Sequence, residues 1–186
     1  MRRWSWLGDR LALDFANTVR RRGDHYVEYL ATPDDLRDWL AAEAGRVPPV
    51  DTHDAGAFPA VRALRDDVLG LLRAAARGEP WPADAVDRVN DALLRHPVVR
   101  LLHTADTPAE LRLAGDGPAP SALLATLAAA VVDLLAGPDG RRLALCDAPG
   151  CGQLYLRERA NQRWCGNACG TRARVVRHQK RVTRTP

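Results

Sequence analysis

The four cysteines of this 186-residue chain all lie in its C-terminal part, at positions 146, 151, 165 and 169. Their spacing, C-x4-C-x13-C-x3-C, forms two close pairs, and each pair can supply two thiolates from one tight turn or helix end. The alternatives are two disulfides or a redox pair. Disulfide frameworks are typical of secreted chains, whereas residues 1–10 contain no apolar signal segment, and no CxxC is present. We therefore predict one structural zinc ion bound by Cys146, Cys151, Cys165 and Cys169, with a closed shell that leaves no position for a catalytic water.

The residues around the cysteines indicate a small zinc module. Pro149 and Gly150 favour a turn that brings the first two cysteines together in a knuckle. Residues 153–156 are apolar enough for a strand, and residues 159–162 supply a turn before the second pair. Because Cys165 and Cys169 are four residues apart, they share one face of a helix. The predicted order of knuckle, short hairpin and helix is that of a treble-clef-like module.

The helix that begins near Cys165 is predicted to have a metal face and a cationic face. At about 100° per residue, a group of basic side chains falls opposite the cysteines. We interpret this face as a DNA contact surface, formed by Arg174, Arg177, His178 and Arg181 together with Arg163. The alternative is an ordinary solvated charged face. Arg172 falls on the metal side, so we expect it to bond finger carbonyls or to offset the thiolate charge.

The segment RWCGNACGTRARVVRH resembles the C-terminal finger of the bacterial CGNR zinc-finger family, whose signature begins at the last cysteine. Here the signature reads Cys169-Gly170-Thr171-Arg172, so threonine replaces the asparagine, and three residues separate the last two cysteines where many members have four. The resemblance implies structural roles for Gly170 and Arg172. It also implies a DNA-binding transcription regulator.

Charge is unevenly distributed along the chain. The whole chain has a net charge of +4, with 27 Lys and Arg against 23 Asp and Glu. Residues 146–186 contain nine basic and two acidic residues, a net charge of +7, and residues 1–145 carry −3. An acidic body with a basic arm is typical of a chain that binds nucleic acid through the arm.

The N-terminal run LALDFANTV is apolar with embedded polar residues, and its periodicity fits a strand or a helix, of which we favour the helix. The polar members Asp14, Asn17 and Thr18 either satisfy buried structural groups or line a small-molecule pocket. Together with Leu13 and Phe15 they match the LDFxNT opening of the ABATE domain, which precedes the CGNR finger in that family. The two resemblances cover both ends of the chain and imply a bacterial stress-induced transcription regulator.

The intervening residues predict a helical bundle. Apolar residues recur at helical spacing from residue 33, capped by Thr32, and again over residues 60–77 and 82–95. Residues 98–104 and 110–113, joined by a turn at 105–108, predict a hairpin. Residues 122–136, capped by Ser121, form the most apolar element. We expect it to be a core helix, since it is too short to span a bilayer and contains Asp133.

The predicted fold class is therefore mainly α with some β structure. A multihelical domain with a small β-hairpin covers residues 1–140, and a zinc finger with a basic C-terminal helix covers residues 141–186. We expect a bacterial, cytoplasmic transcription regulator that is not an enzyme, because no phosphate loop, nucleophile elbow or paired carboxylates are recognisable. Its expected partner is double-stranded DNA, and the N-terminal domain would sense a small-molecule effector or form a homodimer. The alternative is an RNA-binding or protein-interaction adaptor with a purely structural zinc.

Overall fold

The computed structural model describes residue 4 and residues 9–52, 54, 56–101, 110–113 and 119–182. Within these ranges the chain forms six α-helices and three two-stranded antiparallel hairpins, which confirms the mainly helical fold class. The helices are α1 (Leu11–Ala16), α2 (Pro33–Ala42), α3 (Ala57–Arg77), α4 (Ala83–Arg95), α5 (Ala119–Ala136) and α6 (Asn167–Val182). The strands are β1 (Val19–Arg22), β2 (His25–Glu28), β3 (Val98–Leu101), β4 (Glu110–Leu113), β5 (Leu143–Leu145) and β6 (Leu154–Leu156), with a 3₁₀ helix at Pro138–Arg142.

Local sequence signals account for the ends of α2 and α3. The Thr32 hydroxyl accepts a hydrogen bond from the Asp35 backbone N–H at 3.2 Å, and the Asp35 carboxylate accepts one from the Thr32 N–H at 2.9 Å. This reciprocal capping box satisfies two backbone donors at the start of α2, as the predicted Thr32 cap requires. Gly78 ends α3 in the left-handed region, with φ 68°, which glycine adopts without steric cost.

Helix α5 is the central helix of the hydrophobic core. Its residues Leu123, Leu127 and Val131 are fully buried, and the helix packs against α1, α3 and α4. Helix α5 begins at Ala119, so Ser121 lies inside the helix and the predicted cap at Ser121 is wrong. Among the described helices, this 18-residue helix is the one that is long and apolar enough to cross a membrane, judged by length and composition. Length therefore does not argue against a span, and the interpretation as a core helix is supported by its packing.

A hairpin formed by β1 and β2 follows α1 and was not predicted. Its register pairs Arg20 with Val27 and Arg22 with His25, and the turn places Gly23 in the left-handed region at φ 63°. The buried guanidinium of Arg65 on α3 holds the hairpin in place. It contacts the Glu28 carboxylate at 2.6 and 3.0 Å and the Thr18 hydroxyl at 3.0 Å. A charged hairpin is thereby anchored to the helical core at its base.

The predicted hairpin near residue 100 is confirmed. Strands β3 and β4 pair antiparallel, with Val98 opposite Leu113. The connecting turn predicted at residues 105–108 lies outside the described residues.

The β5–β6 hairpin has one face in each of two hydrophobic clusters. Leu143, Leu154 and Leu156 belong to the main core, whereas Ala144 and Tyr155 belong to a smaller cluster that contains the cysteines. Side chains alternate between the faces of a strand, so a short apolar hairpin can be buried on both sides. The predicted strand at 153–156 is present, but its partner is β5, upstream of the first cysteine. The division of the chain at residue 140 stays a prediction.

Candidate metal centre and basic groove

The four cysteines come from three parts of the finger: the end of β5, the knuckle turn and the start of α6. Cys146 directly follows β5, and its N–H donates to the Gln153 carbonyl at 2.9 Å, which extends the hairpin pairing. The Cys151 N–H donates to the Ala148 carbonyl at 3.0 Å and closes the knuckle turn. Cys165 precedes α6, and Cys169 lies in the first turn of that helix. Two residues from the hairpin thus face two from the helix end.

The four sulfur atoms form a compact cluster, and all lie within 4.8 Å of one another. The Sγ atoms of Cys151 and Cys165 are 3.8 Å apart, and those of Cys165 and Cys169 are 3.6 Å apart. With zinc–sulfur bonds of about 2.3 Å, the edge of a tetrahedron is roughly 3.8 Å. The sulfurs are therefore spaced as a tetrahedral zinc ion requires.

The cluster is electrostatically unsuited to four ionised thiols alone. Side-chain hydrogen bonding with Cys146 first, and then with Cys165, lowers the pKa of Cys151 to about 4. Side-chain hydrogen bonding with Cys146 and then Cys151 raises the pKa of Cys165, and burial and the negative charge of these neighbouring sulfurs act in the same direction. A divalent cation removes this conflict and releases the remaining protons. The donor set fits zinc in both geometry and chemistry.

Gly170 and Arg172 both contact the metal centre or its support. The Arg172 Nη2 atom lies 3.2 Å from the Cys169 sulfur. This position fits the prediction that Arg172 offsets thiolate charge, which stays a prediction. A Cβ atom at Gly170 would lie 3.3 Å from the Trp164 ring, a contact tighter than most real Cβ atoms make. The signature residues next to Cys169 therefore contact a ligand sulfur and the finger's tryptophan.

Helix α6 borders a groove of about 410 Å³ beside the metal centre. Its basic lining residues are Arg163, Arg177, Lys180 and Arg181, and its apolar part includes Trp164, Ala173 and Val176. The Arg163 Nε atom donates to the carboxylate of Asp147, another lining residue, at 3.0 Å. Lys180, Trp164 and Asp147 were not among the predicted contact residues. Lys180 could have been predicted, because it lies in the metal-side sector about three turns beyond Cys169, where the helix carries no further cysteine.

The two other predicted contact residues lie outside this groove. Arg174 is exposed, and its side chain reaches the Gly170 carbonyl at 3.3 Å and the Thr171 hydroxyl at 3.5 Å. His178 is also exposed on α6. The sequence of α6 contains no acidic residue, so the helix has a net positive charge. Of the five predicted contact residues, three line the groove and two lie on the rest of the helix.

The polar residues of the LDFANT run make three separate structural contacts. Asn17 is buried, and its side-chain amide donates to the Leu154 carbonyl at 2.9 Å and accepts from the Leu154 N–H at 3.1 Å. Thr18 donates to the Phe15 carbonyl at 2.7 Å and accepts from Arg65. Asp14 accepts from Arg46 at 3.0 Å. Of the two predicted roles, these contacts favour the structural one, which we propose for all three residues.

Arg46 is shared by two buried carboxylates. It donates to Asp14 Oδ2 at 3.0 Å and to Glu43 Oε2 at 2.8 Å, and both acidic side chains are 0% exposed. Burial raises the pKa of Glu43 to about 7, against the opposing charge of Arg46, and the neighbouring Asp14 contributes in the same direction. Glu43 Oε1 has no hydrogen-bond partner among the described residues. Among the described residues, Glu43 is therefore a buried carboxyl whose pKa is raised towards neutral pH.

Two family models match the chain in sequence order. Residues 9–138 match ABATE, whose description is "Putative stress-induced transcription regulator", and residues 142–182 match the CGNR zinc finger. No curated protein matches the chain at a significant level. The match to a zinc-finger family and the buried four-cysteine cluster together point to one structural zinc ion.

Proposed function

The chain belongs to the ABATE family and ends in a CGNR zinc finger, and on this basis we propose that it is a transcription regulator that binds duplex DNA through α6. Both families are of regulator or zinc-finger type and neither is an enzyme family. A bacterial transcription regulator acts on the chromosome, so we propose that the protein is cytoplasmic.

The basic groove beside the metal centre is the observation that carries this proposal. Arg163, Arg177, Lys180 and Arg181 line it, and Asp147, the acidic lining residue, is already paired with Arg163. Arginine and lysine side chains bind DNA phosphates, and an arginine fork also recognises guanine in the major groove. A 16-residue helix is roughly 24 Å long, so α6 can follow the major groove for several base pairs.

Zinc has a structural role in this proposal. Only Cys169 and Gly170 of α6 are buried, so the helix is fixed to the protein mainly through its first turn. Zinc bound by Cys146, Cys151, Cys165 and Cys169 would tie that turn to the β5–β6 hairpin. A fixed helix presents Arg174, Arg177, His178 and Arg181 in one arrangement, which sequence-specific binding requires.

We assign signal reception or dimerisation to the N-terminal domain. A groove of about 290 Å³ lies between α3, α4 and α5, and its lining residues include the apolar Leu64, Ala92 and Leu124 and the charged Asp67 and Arg88. Apolar walls with a few charged groups suit a small organic effector. A homodimer would place two α6 helices on two half-sites and raise both affinity and specificity.

The test is selection of bound fragments from a random duplex pool by zinc-loaded protein, followed by affinity measurements on two variants. Each phosphate contact contributes roughly eightfold in affinity at 0.1 M salt, taking a slope of about 0.9 per contact and 1 M as the reference. We therefore expect Arg177→Ala/Arg181→Ala to bind the selected sequence at least tenfold more weakly, with unchanged zinc content.

The matched control is Arg37→Ala/Arg95→Ala, which removes two exposed arginines from α2 and α4. Equal affinities of the two variants would refute the role of α6. A protein that retains stoichiometric zinc but selects no duplex sequence, and instead prefers single-stranded RNA or a protein partner, would favour the adaptor function.

A further inference from the structure

The knuckle of the finger touches a second basic element, the β1–β2 hairpin. A Cβ atom at Gly150 would lie 2.8 Å from the Gly23 nitrogen and 2.9 Å from the Gly23 Cα atom, so the two backbones are in direct contact. The absence of a Cβ atom at Gly150 permits this approach, and both Gly150 and Gly23 have positive φ, 69° and 63°, which glycine adopts without steric cost. The hairpin turn therefore packs on the knuckle.

The same knuckle also borders the basic groove. Pro149, adjacent to Gly150, is one of the groove's lining residues. Consecutive Cα atoms are about 3.8 Å apart, so the contact at Gly150 limits the distance between the Cα atoms of Arg22 and Pro149 to about 12 Å. That distance corresponds to three or four base pairs at 3.4 Å per step. The hairpin and the groove are thus close enough to contact one duplex.

The hairpin presents charge in an ordered form. It carries three consecutive arginines, of which Arg21 and Arg22 are exposed. The Arg21 Nε atom donates to the Gly23 carbonyl at 3.0 Å, and the Arg22 Nη2 atom donates to the Tyr29 hydroxyl at 3.3 Å. Arg20 is stacked on Tyr29, with its guanidinium carbon 4.8 Å from the ring centre. These contacts hold the arginines in place at low entropic cost for binding.

The acidic residues of the hairpin leave this surface positive. Glu28 is engaged by Arg65 and Arg62 at the base. Asp24 is fully exposed and lies 3.8 Å from Arg21, which is a weak, solvent-screened contact. His25 and Tyr26 are exposed as well, and the Arg73 guanidinium lies 5.6 Å from the Tyr26 ring. The exposed end of the hairpin thus combines basic and aromatic groups, as nucleic-acid-binding surfaces do.

From this arrangement we propose that the β1–β2 hairpin is a second DNA-backbone contact, in which Arg21 and Arg22 bind phosphates beside the segment held by α6. The inference rests on the proposed function, since it requires the finger to bind duplex DNA. It assigns part of the DNA surface to the N-terminal domain.

The experiment measures affinity for the selected duplex as a function of salt, for full-length zinc-loaded protein and four double variants. Arg21→Ala/Arg22→Ala tests the hairpin, and Arg21→Lys/Arg22→Lys keeps its charge. Arg177→Ala/Arg181→Ala tests α6, and Arg37→Ala/Arg95→Ala controls for net charge. Zinc content and thermal unfolding are measured for each variant, and neither is expected to change for the hairpin variants, because the contacts of Arg21 and Arg22 lie at the surface.

We expect the hairpin alanine variant to lose roughly tenfold to sixtyfold in affinity at 0.1 M salt and to show a salt slope smaller by about 1 to 2. The lysine variant should keep the wild-type slope, and the net-charge control should bind like wild type.

If the hairpin alanine variant binds like the net-charge control while the α6 variant is weakened, the hairpin is not a contact and the function of α6 stands. If the wild-type protein shows no salt-dependent binding to duplex DNA, or binds single-stranded RNA of the same sequence more tightly, both proposals are refuted.

Discussion

Replacing Asn17 with alanine removes the two hydrogen bonds that join the end of α1 to strand β6. The two bonds, at 2.9 and 3.1 Å, satisfy both backbone groups of Leu154, a fully buried residue. On one side of β6, Leu154 pairs with Leu145 of β5. On the other side of β6, the Asn17 amide bonds the Leu154 backbone as a neighbouring strand would. Water cannot replace the amide without entering the core, and the variant leaves a buried donor and a buried acceptor unsatisfied.

The cost follows from the desolvation of these two groups. An unsatisfied buried polar group costs about 1–3 kcal/mol, so the pair gives about 2–6 kcal/mol. Domains of this size are stable by about 5–15 kcal/mol, so the substitution removes a large fraction of the total. The contact closes a separation of 137 residues in the sequence, and it also positions the hairpin that carries Cys146 and Cys151. We therefore expect weaker zinc binding as well, by at least tenfold, since tenfold corresponds to about 1.4 kcal/mol.

The assay combines urea unfolding, followed by circular dichroism, with zinc competition against a chromogenic chelator. Asn90→Ala, at an exposed position on α4, is the control and should change stability by less than about 1 kcal/mol. A loss below about 1 kcal/mol for Asn17→Ala would refute the structural role of this residue. A large loss of stability with unchanged zinc affinity would show that the finger folds independently of the helical domain.

Two further predictions concern the metal centre and the buried carboxyl. In Cys165→Ser three thiolates remain, so we expect loss of stoichiometric zinc and melting of α6. The helical core should keep its structure, because the β5–β6 hairpin packs into it through Leu143, Leu154 and Leu156. Metal analysis and circular dichroism measure the two effects, and full retention of α6 helicity would contradict the reasoning. The pKa of Glu43 is about 7 in the folded state, against an ordinary value of 4.5. Between these pH values the folded state binds the proton more tightly than the unfolded state, so folding stability falls as pH rises. Relative to Glu43→Gln, the wild-type protein should lose about 2–3 kcal/mol between pH 5 and pH 8, and a constant difference across that range would contradict it.

Several elements could be predicted from the sequence because their signals are local. The cap at Thr32, the acidic first turn of α2 and the helical periodicity of α3 are all contained in a few adjacent turns. The cysteine spacing likewise depends on short turns, and the structure brings all four sulfurs together. The start of α5 was misplaced because Ser121 is a good capping residue, although the helix extends past it to Ala119.

The β1–β2 hairpin was missed because its strands lack alternating apolar residues. The three arginines of β1 are typical of a solvated segment. The strand is stabilised by contacts made elsewhere in the chain, including those of Glu28 with Arg65. One local signal was present, since a Gly-Asp pair between two short segments is typical of a tight hairpin turn. A helical wheel of α6 could not predict the groove, because its second wall comes from the loop that carries Arg163 and Trp164.

Helix α1 explains how so short an element connects the parts of this protein. All six of its residues are buried, and the polar residues within and just after it reach three different partners. Asp14 binds Arg46 beyond α2, Asn17 binds β6 of the finger, and Thr18 binds Arg65, which also anchors the β1–β2 hairpin. Six buried residues thus suffice to join the helical core, strand β6 and the base of the β1–β2 hairpin, because each polar side chain of this run bonds to a different element.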